Sequence, residues 1–246
     1  MGAVRNIGVI FKRELKSYFE SAVAYVFLIV FLLLMSGLTF LVSHYYEREQ
    51  ADLRSWFFFW HPWVYLLLVP AVSMRLWAEE RRSGTIELLL TLPVTLTQAI
   101  LGKFFAAWLF LVIALAATFP VVVTTVWLGD PDGGVIVGGY LGSVLLAGTY
   151  LSIGMLTSAM TRNQVISFVV SLIVCMFLVF AGWPPITDVV ARFEIDWLLK
   201  AVVGLGVIPH FDSIQRGVID LRDVGYYFSV MTVMLVGTYT VLRNRS

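Results

Sequence analysis

Four consecutive charged residues occur once in the chain, at Glu79, Glu80, Arg81 and Arg82. They are followed by a Ser83–Gly84–Thr85 break, then by Ile86, Glu87, Leu88, Leu89 and Leu90, and by Pro93. Two acids followed by two bases beside an apolar stretch suit ionic and apolar contacts with another protein; they do not form a nucleophile, a base and a group that orients it. Ser83 or Thr85 can cap a short helix after the break, with Glu87 near its positively polarised first turn. Read alone, residues 75–103 are either a rigid amphipathic element that transmits force from a soluble partner or a solvated topogenic loop.

Other reactive side chains are few. The histidines are His44, His61 and His210, and no two stand three or four residues apart. All three fall on the expected outer side, so three interfacial histidines are the simple reading and a shared metal site the alternative. Cys175 is the single cysteine, which gives no internal disulfide and no thiolate cluster. The Gly102–Lys103 pair is followed by Phe104, so no G-x-x-x-x-G-K-[ST] phosphate loop is present. No G-x-S-x-G elbow occurs either, and an intramembrane enzyme would have to rest on His61. The chain is therefore expected to be no enzyme, to bind no cofactor or metal of its own, and to leave ATP and magnesium to a partner.

Few elements are available to hold these groups. Of 246 residues, 59% are hydrophobic and 13% charged, with a mean hydropathy of +0.87. Soluble domains carry about 25% charged residues, so an ordinary soluble globule is excluded. Disorder is excluded by the same composition. The 17 basic and 16 acidic residues nearly cancel, which disfavours nucleic-acid binding by bulk charge.

The gaps between charges measure the membrane spans. Crossing a hydrocarbon core takes about 20 apolar helical residues. Intervals from Glu20 to Glu47, Arg54 to Arg75, Lys103 to Asp130, Asp132 to Arg162, Arg162 to Asp188 and Asp223 to Arg243 each hold 19 or more uncharged residues. They predict six transmembrane helices near 22–44, 56–77, 99–128, 135–160, 164–183 and 225–242, in one all-α integral membrane domain over 1–246. The first reads as a retained anchor, too long for the apolar core of a signal peptide. The interval Lys200 to Asp212 is too short to span and contains Gly204, Gly206 and Pro209, so residues 184–224 read as an outer re-entrant or extracytoplasmic segment.

Residues 4–20 place Val4, Ile7, Phe11, Leu15, Tyr18 and Phe19 on one stripe with Arg5, Lys12, Arg13 and Lys16 largely off it. An amphipathic N-terminal elbow helix at the headgroup layer fits this pattern, and a basic topogenic tail is the other reading. With both termini inside, eleven basic residues lie on the cytoplasmic side and six outside, which favours the N-in, C-in arrangement. Within the spans, Pro62, Pro70 and Pro120 predict kinks. Gly138 and Gly142, followed by Ala147, Gly148, Ser152 and Gly154, give span four a close-approach face, for packing inside the chain or against a second subunit. No span carries a charge near its middle, which weighs against a proton or sodium relay. No stretch is large enough for a soluble domain, so any energy-coupling domain is expected on another polypeptide.

The run E-R-R-S-G-T-I-E-L-L-L-T-L-P-V closely resembles the signature of ABC-2-type permeases, the membrane subunits of ABC transporters with a type V exporter-like fold. The outer run P-H-F-D-S-I-Q-R-G-V-I-D-L-R-D-V-G-Y-Y-F, residues 209–228, is similar to the gliding-motility-associated permeases. The resemblance implies that residues 78–98 form an ATPase-coupling segment. In it Glu79, Glu80, Arg81 and Arg82 would make charge contacts, Gly84 and Thr85 the turn, and Glu87, Leu88, Leu89 and Pro93 the seat in the ATPase. It implies ABC ATPase subunits as partners, together with a second permease, either the same chain or a related one with a large periplasmic domain. It also implies a multi-pass protein of the bacterial inner membrane, surrounded by lipid, that exports a substrate as an ATPase drives it. A mechanotransmitting or assembly subunit is the rival expectation; it would relay ATPase motion to a periplasmic partner through His210, Asp212, Arg216, Asp220, Arg222 and Asp223.

Overall fold

The computed structural model describes residues 2–48, 51–85 and 94–244. Among them the secondary structure is entirely helical. Six helical runs are long and apolar enough to cross a membrane: Ala22–Val42, Leu53–Ser83, Leu96–Leu128, Gly133–Met160, Gln164–Ala181 and Leu221–Arg243, spans one to six. Apolar composition drives them into lipid, where only a helix satisfies every backbone group from within. Their ends follow from capping: Asp132 accepts from the Gly134 amide, Asn163 from Val165 and Asp220 from Arg222, each satisfying an orphan first-turn donor.

Span four is the centre of the bundle, and its small residues explain why. A Cβ on Gly154 would overlap the Ser73 hydroxyl, and one on Gly138 would strike the Ile214 carbonyl. The close-approach face thus serves packing inside this chain, against span two and the outer hairpin. Span six lies on the same helix, where Gly148 faces Met231 and Trp108.

The prolines act differently from one another. Pro62 sits in the first turn of the segment His61–Ser73, where its missing N–H costs nothing, so it starts that segment and does not kink it. Pro120 likewise opens Phe119–Leu128, just after span three bends at Ala117–Thr118. Pro70 is internal, and the helix gives way four residues later in a turn at 74–77 before resuming as Ala78–Ser83.

An N-terminal helix, Gly2–Glu20, runs along the start of span three. Ile10 is buried against Gly102, where a Cβ would come within 2.7 Å of the isoleucine. Tyr18 stacks on Phe110 at 4.9 Å between ring centroids. Leu15, Tyr18 and Phe19 of the expected stripe pack against the core, whereas Val4 is 79% exposed, and Ile10 and Glu14, which the stripe leaves out, also turn inward.

Between spans five and six, Asp196–Leu205 and Val207–Ile214 meet at 67°. Gly182 and Gly206 touch backbone to backbone, closing this hairpin on the end of span five. Val207, Phe211 and Ile214 are buried, the last two against Gly142 of span four.

Candidate functional site

The charged run extends span two. After the turn at 74–77, the backbone amides of Trp77 and Ala78 both donate to Ser158 Oγ at 3.0 Å. That hydroxyl donates in turn to the Met74 carbonyl at 2.9 Å. A single serine of span four thus replaces the helical bonds the turn forfeits, and fixes the direction in which residues 78–83 leave the bundle.

Helix Ala78–Ser83 divides the four charges between two faces. Glu79 and Arg82 are exposed. Glu80 and Arg81 turn inward: Arg81 donates to the Ala159 carbonyl at the end of span four, and Glu80 Oε1 lies 2.8 Å from Lys103 Nζ. Lys103 comes from the second turn of span three and is 3% exposed. Its ammonium also lies 3.3 Å from Glu14 Oε1 and 5.3 Å from the centroid of the Trp77 ring. A buried ammonium is tolerated only when paired and hydrogen-bonded, and here the N-terminal helix supplies Glu14 while span two supplies Glu80 and Trp77.

Arg13 completes the charge balance at 2.6 Å from Glu14, so two acids face two bases. Burial alone would raise the Glu14 carboxyl, but Lys103 and Arg13 outweigh it and hold the group below its ordinary 4.5. At the far end Gly84 adopts a left-handed conformation, φ 74°, which stops the helix. Ser83 Oγ donates to the Glu79 carbonyl at 2.9 Å, and Thr85 is exposed. Glu87, Leu88, Leu89 and Pro93 lie outside the described residues. The chain resumes at Thr95 and Gln98, which form a reciprocal capping box at the head of span three.

The short helix is thus tied to its surroundings on two sides: Glu80 binds Lys103 of span three, which Glu14 of the N-terminal helix shares, while Arg81 and the Trp77 and Ala78 amides bind span four. The sequence reading missed Lys103, Glu14, Trp77 and Ser158. Lys103 lies 89 positions from Glu14 and 23 from Glu80, and nothing in the sequence joins them. The only available signal was a lysine just inside an apolar span, where an unpaired charge would be costly.

The outer residues also separate into two groups. His210 Nδ1 donates to Asp223 Oδ1 at 2.7 Å, and its ring stacks on Tyr226 at 4.0 Å between centroids. Tyr226 and Tyr227 donate to the Leu205 and Val207 carbonyls. These bonds pin the outer hairpin to the head of span six. Asp212 accepts from Gln215 at 2.5 Å, and Asp220 caps span six. Arg216, Asp220 and Arg222 are exposed and face outward from this frame. His61 is fully buried among the rings of Phe57, Phe58 and Tyr65 at the head of the segment His61–Ser73. Among the described residues no cluster of His, Cys, Asp and Glu could hold a metal.

Residues 63–196, just over half of the chain, match the family described as ABC-2 family transporter protein. The matched stretch begins in span two, contains the charged helix and its bracing residues Lys103 and Ser158, and ends at the outer hairpin. No curated protein matches the sequence.

Proposed function

The chain belongs to the ABC-2 family of transporter proteins, as a permease subunit of an ABC transporter, and we propose that it couples ATP hydrolysis by a separate ATPase to substrate export. ATP-driven closure of the ATPase pair would push on the exposed face of residues 79–85, through Glu79, Arg82 and the Gly84–Thr85 turn. Glu80 and Arg81 would serve differently from their neighbours, passing the push into the bundle.

The observation that carries this reading is the bracing of Ala78–Ser83 at three points, Glu80 to Lys103, Arg81 to Ala159 and the backbone to Ser158. A solvated loop that only marks topology has no use for three ties, one to span three and two to span four. In this reading the N- and C-termini are cytoplasmic, the N-terminal helix is the elbow, Glu87, Leu88, Leu89 and Pro93 complete the ATPase contact, and magnesium and ATP stay on the partner. The functional unit pairs two permeases in a bacterial inner membrane. The likeness to the gliding-motility-associated permeases rests on the outer motif at 209–228.

Purified complex reconstituted in vesicles provides the test. Arg82→Ala with Glu79→Ala should abolish the stimulation of ATPase activity by the permease while membrane insertion is retained. Stimulation equal to that of the unaltered chain would sink the proposal.

The exposure of Arg216, Asp220 and Arg222 favours one rival, a subunit that relays motion to a periplasmic partner. Photo-crosslinking from Arg216 separates the two: capture of a periplasmic protein without substrate transport supports relay, and transport in vesicles that contain only permease and ATPase supports export.

A further inference from the structure

A cleft of about 580 Å³ opens where the N-terminal helix, span one and span two meet, beside the braced charge cluster. Its inner walls are apolar, with Val26, Phe27 and Val30 from span one facing Leu68 and Val72 from span two. Val26, Ile29, Val30 and Leu33 share one face of span one at helical spacing and are 59%, 57%, 38% and 67% exposed. The apolar wall therefore continues out of the cleft along the lipid-facing side of the helix.

The mouth has a different chemistry. Lys103 is held by Glu14 and Glu80, which leaves Arg75 and Glu79 as exposed charges of opposite sign at the rim. Glu80 also lines the cleft, and while its Oε1 binds Lys103, its Oε2 is buried without a hydrogen-bond partner among the described residues. A buried carboxylate oxygen left in that state is costly unless something donates to it. A fitting occupant thus has three parts: a chain for the apolar walls, an anion for Arg75, and a cation with N–H donors for Glu79 and Glu80 Oε2.

We propose that this cleft is a binding site for a phospholipid with a primary ammonium headgroup, phosphatidylethanolamine in chemical class, taken from the leaflet that adjoins the N-terminal helix. Its phosphate meets the Arg75 guanidinium, its ammonium donates to Glu79 and Glu80 Oε2, and an acyl chain follows Val26 to Leu33 along span one. Phosphatidylcholine carries the same charge but no N–H donor, and phosphatidylglycerol carries no cation. Either would leave the carboxylate side of the mouth unsatisfied. The lipid would bridge the N-terminal helix to spans one and two next to the coupling element, independently of what the transporter carries.

Native mass spectrometry of the full chain in detergent tests this, with phosphatidylethanolamine, phosphatidylcholine and phosphatidylglycerol added singly at equal concentration. One phosphatidylethanolamine should be retained about tenfold more tightly than either of the others. Glu79→Gln should reduce that preference over phosphatidylcholine to within about twofold, because a neutral amide loses the charge-assisted bond. Ala71→Trp should fill the cleft and abolish the retained lipid; Val26→Trp, at a wall position that is 59% exposed, checks the same point if the first variant does not fold. Equal retention of the three lipids, a preference for phosphatidylglycerol, or an unchanged preference in Glu79→Gln would each overturn the assignment.

Discussion

Lys103 Nζ stands 2.8 Å from Glu80 Oε1, joining the charged end of span two to the second turn of span three through a side chain that is 3% exposed. At the surface such a pair would contribute little, since water screens it and two long side chains must be ordered. Here burial reverses the weighting. The pair need not add much net stability, but removal of one partner strands a charge where solvent cannot reach it.

Lys103→Met should therefore cost about 3–5 kcal/mol, because Glu14 and Glu80 are left facing each other without their shared cation. Glu80→Gln should cost less, since Glu14 continues to hold the ammonium at 3.3 Å. Thermal unfolding of the purified chain in one detergent would rank the two. If Lys103→Met and Glu80→Gln were equally mild, the cluster would not be a buried network.

Acid should weaken the same network, with a definite sign. The Glu14 carboxyl is held below its ordinary 4.5: burial works to raise it, but Lys103 and Arg13 prevail. The folded state therefore binds this proton less readily than the unfolded chain. The stabilisation from Glu14 is complete above the ordinary carboxylate value and is lost as pH falls through the lowered folded value. The unfolding temperature should drop more steeply for the unaltered chain than for Glu14→Gln between pH 5 and pH 3, so that the two curves converge. Parallel curves would show that Glu14 does not titrate into the cluster.

Much of this architecture was legible because lipid imposes simple rules. Six long intervals free of charge gave six spans, and Gly204, Gly206 and Pro209 marked a break in the stretch before span six; the structure bends it there by 67°. The charged run at 79–82 was also legible as the densest charge cluster of the chain. What escaped was which side of that short helix each charge faces. Glu79 and Arg82 project outward, whereas Glu80 and Arg81 bind within the chain, and that division depends on Lys103 and the Ala159 carbonyl, set by tertiary packing. The burial of His61 escaped for a related reason: its place at the head of a span is plain in the sequence, but the packing of Phe57 and Phe58, four and three residues earlier, over its ring is not.

Ser158 gives the most direct test of force transmission. Its hydroxyl serves three backbone groups at the span-two turn. Ser158→Ala leaves the amides of Trp77 and Ala78 buried without their acceptor, at a cost of about 1–3 kcal/mol. Helix Ala78–Ser83 would then be anchored only through its side chains. ATPase stimulation in the reconstituted complex should fall several-fold in this variant, even at temperatures where the bundle stays folded. Stability loss with full stimulation would mean that the turn is a packing detail and that the push travels through Lys103 alone.

Gly154 and Ser73 set the approach of span four to span two, and a double-mutant cycle can show it. A Cβ at position 154 would overlap the Ser73 hydroxyl and come within 2.5 Å of its Cβ, so Gly154→Ala should destabilise by about 1–3 kcal/mol through forced separation of the helices. Ser73→Gly on its own should cost about 1 kcal/mol from lost helix propensity. Combined with Gly154→Ala it removes both clashing atoms, so the double variant should be more stable than the sum of the two single losses. The coupling should also appear at the charged end, because Ser73 lies at the entrance to the 74–77 turn that Ser158 holds. A span four pushed away from span two draws Ser158 Oγ away from the Trp77 and Ala78 amides, and Gly154→Ala alone should therefore reproduce part of the loss of ATPase stimulation seen in Ser158→Ala. Strict additivity in stability, with stimulation intact, would place the contact outside the path that links the charged helix to the bundle.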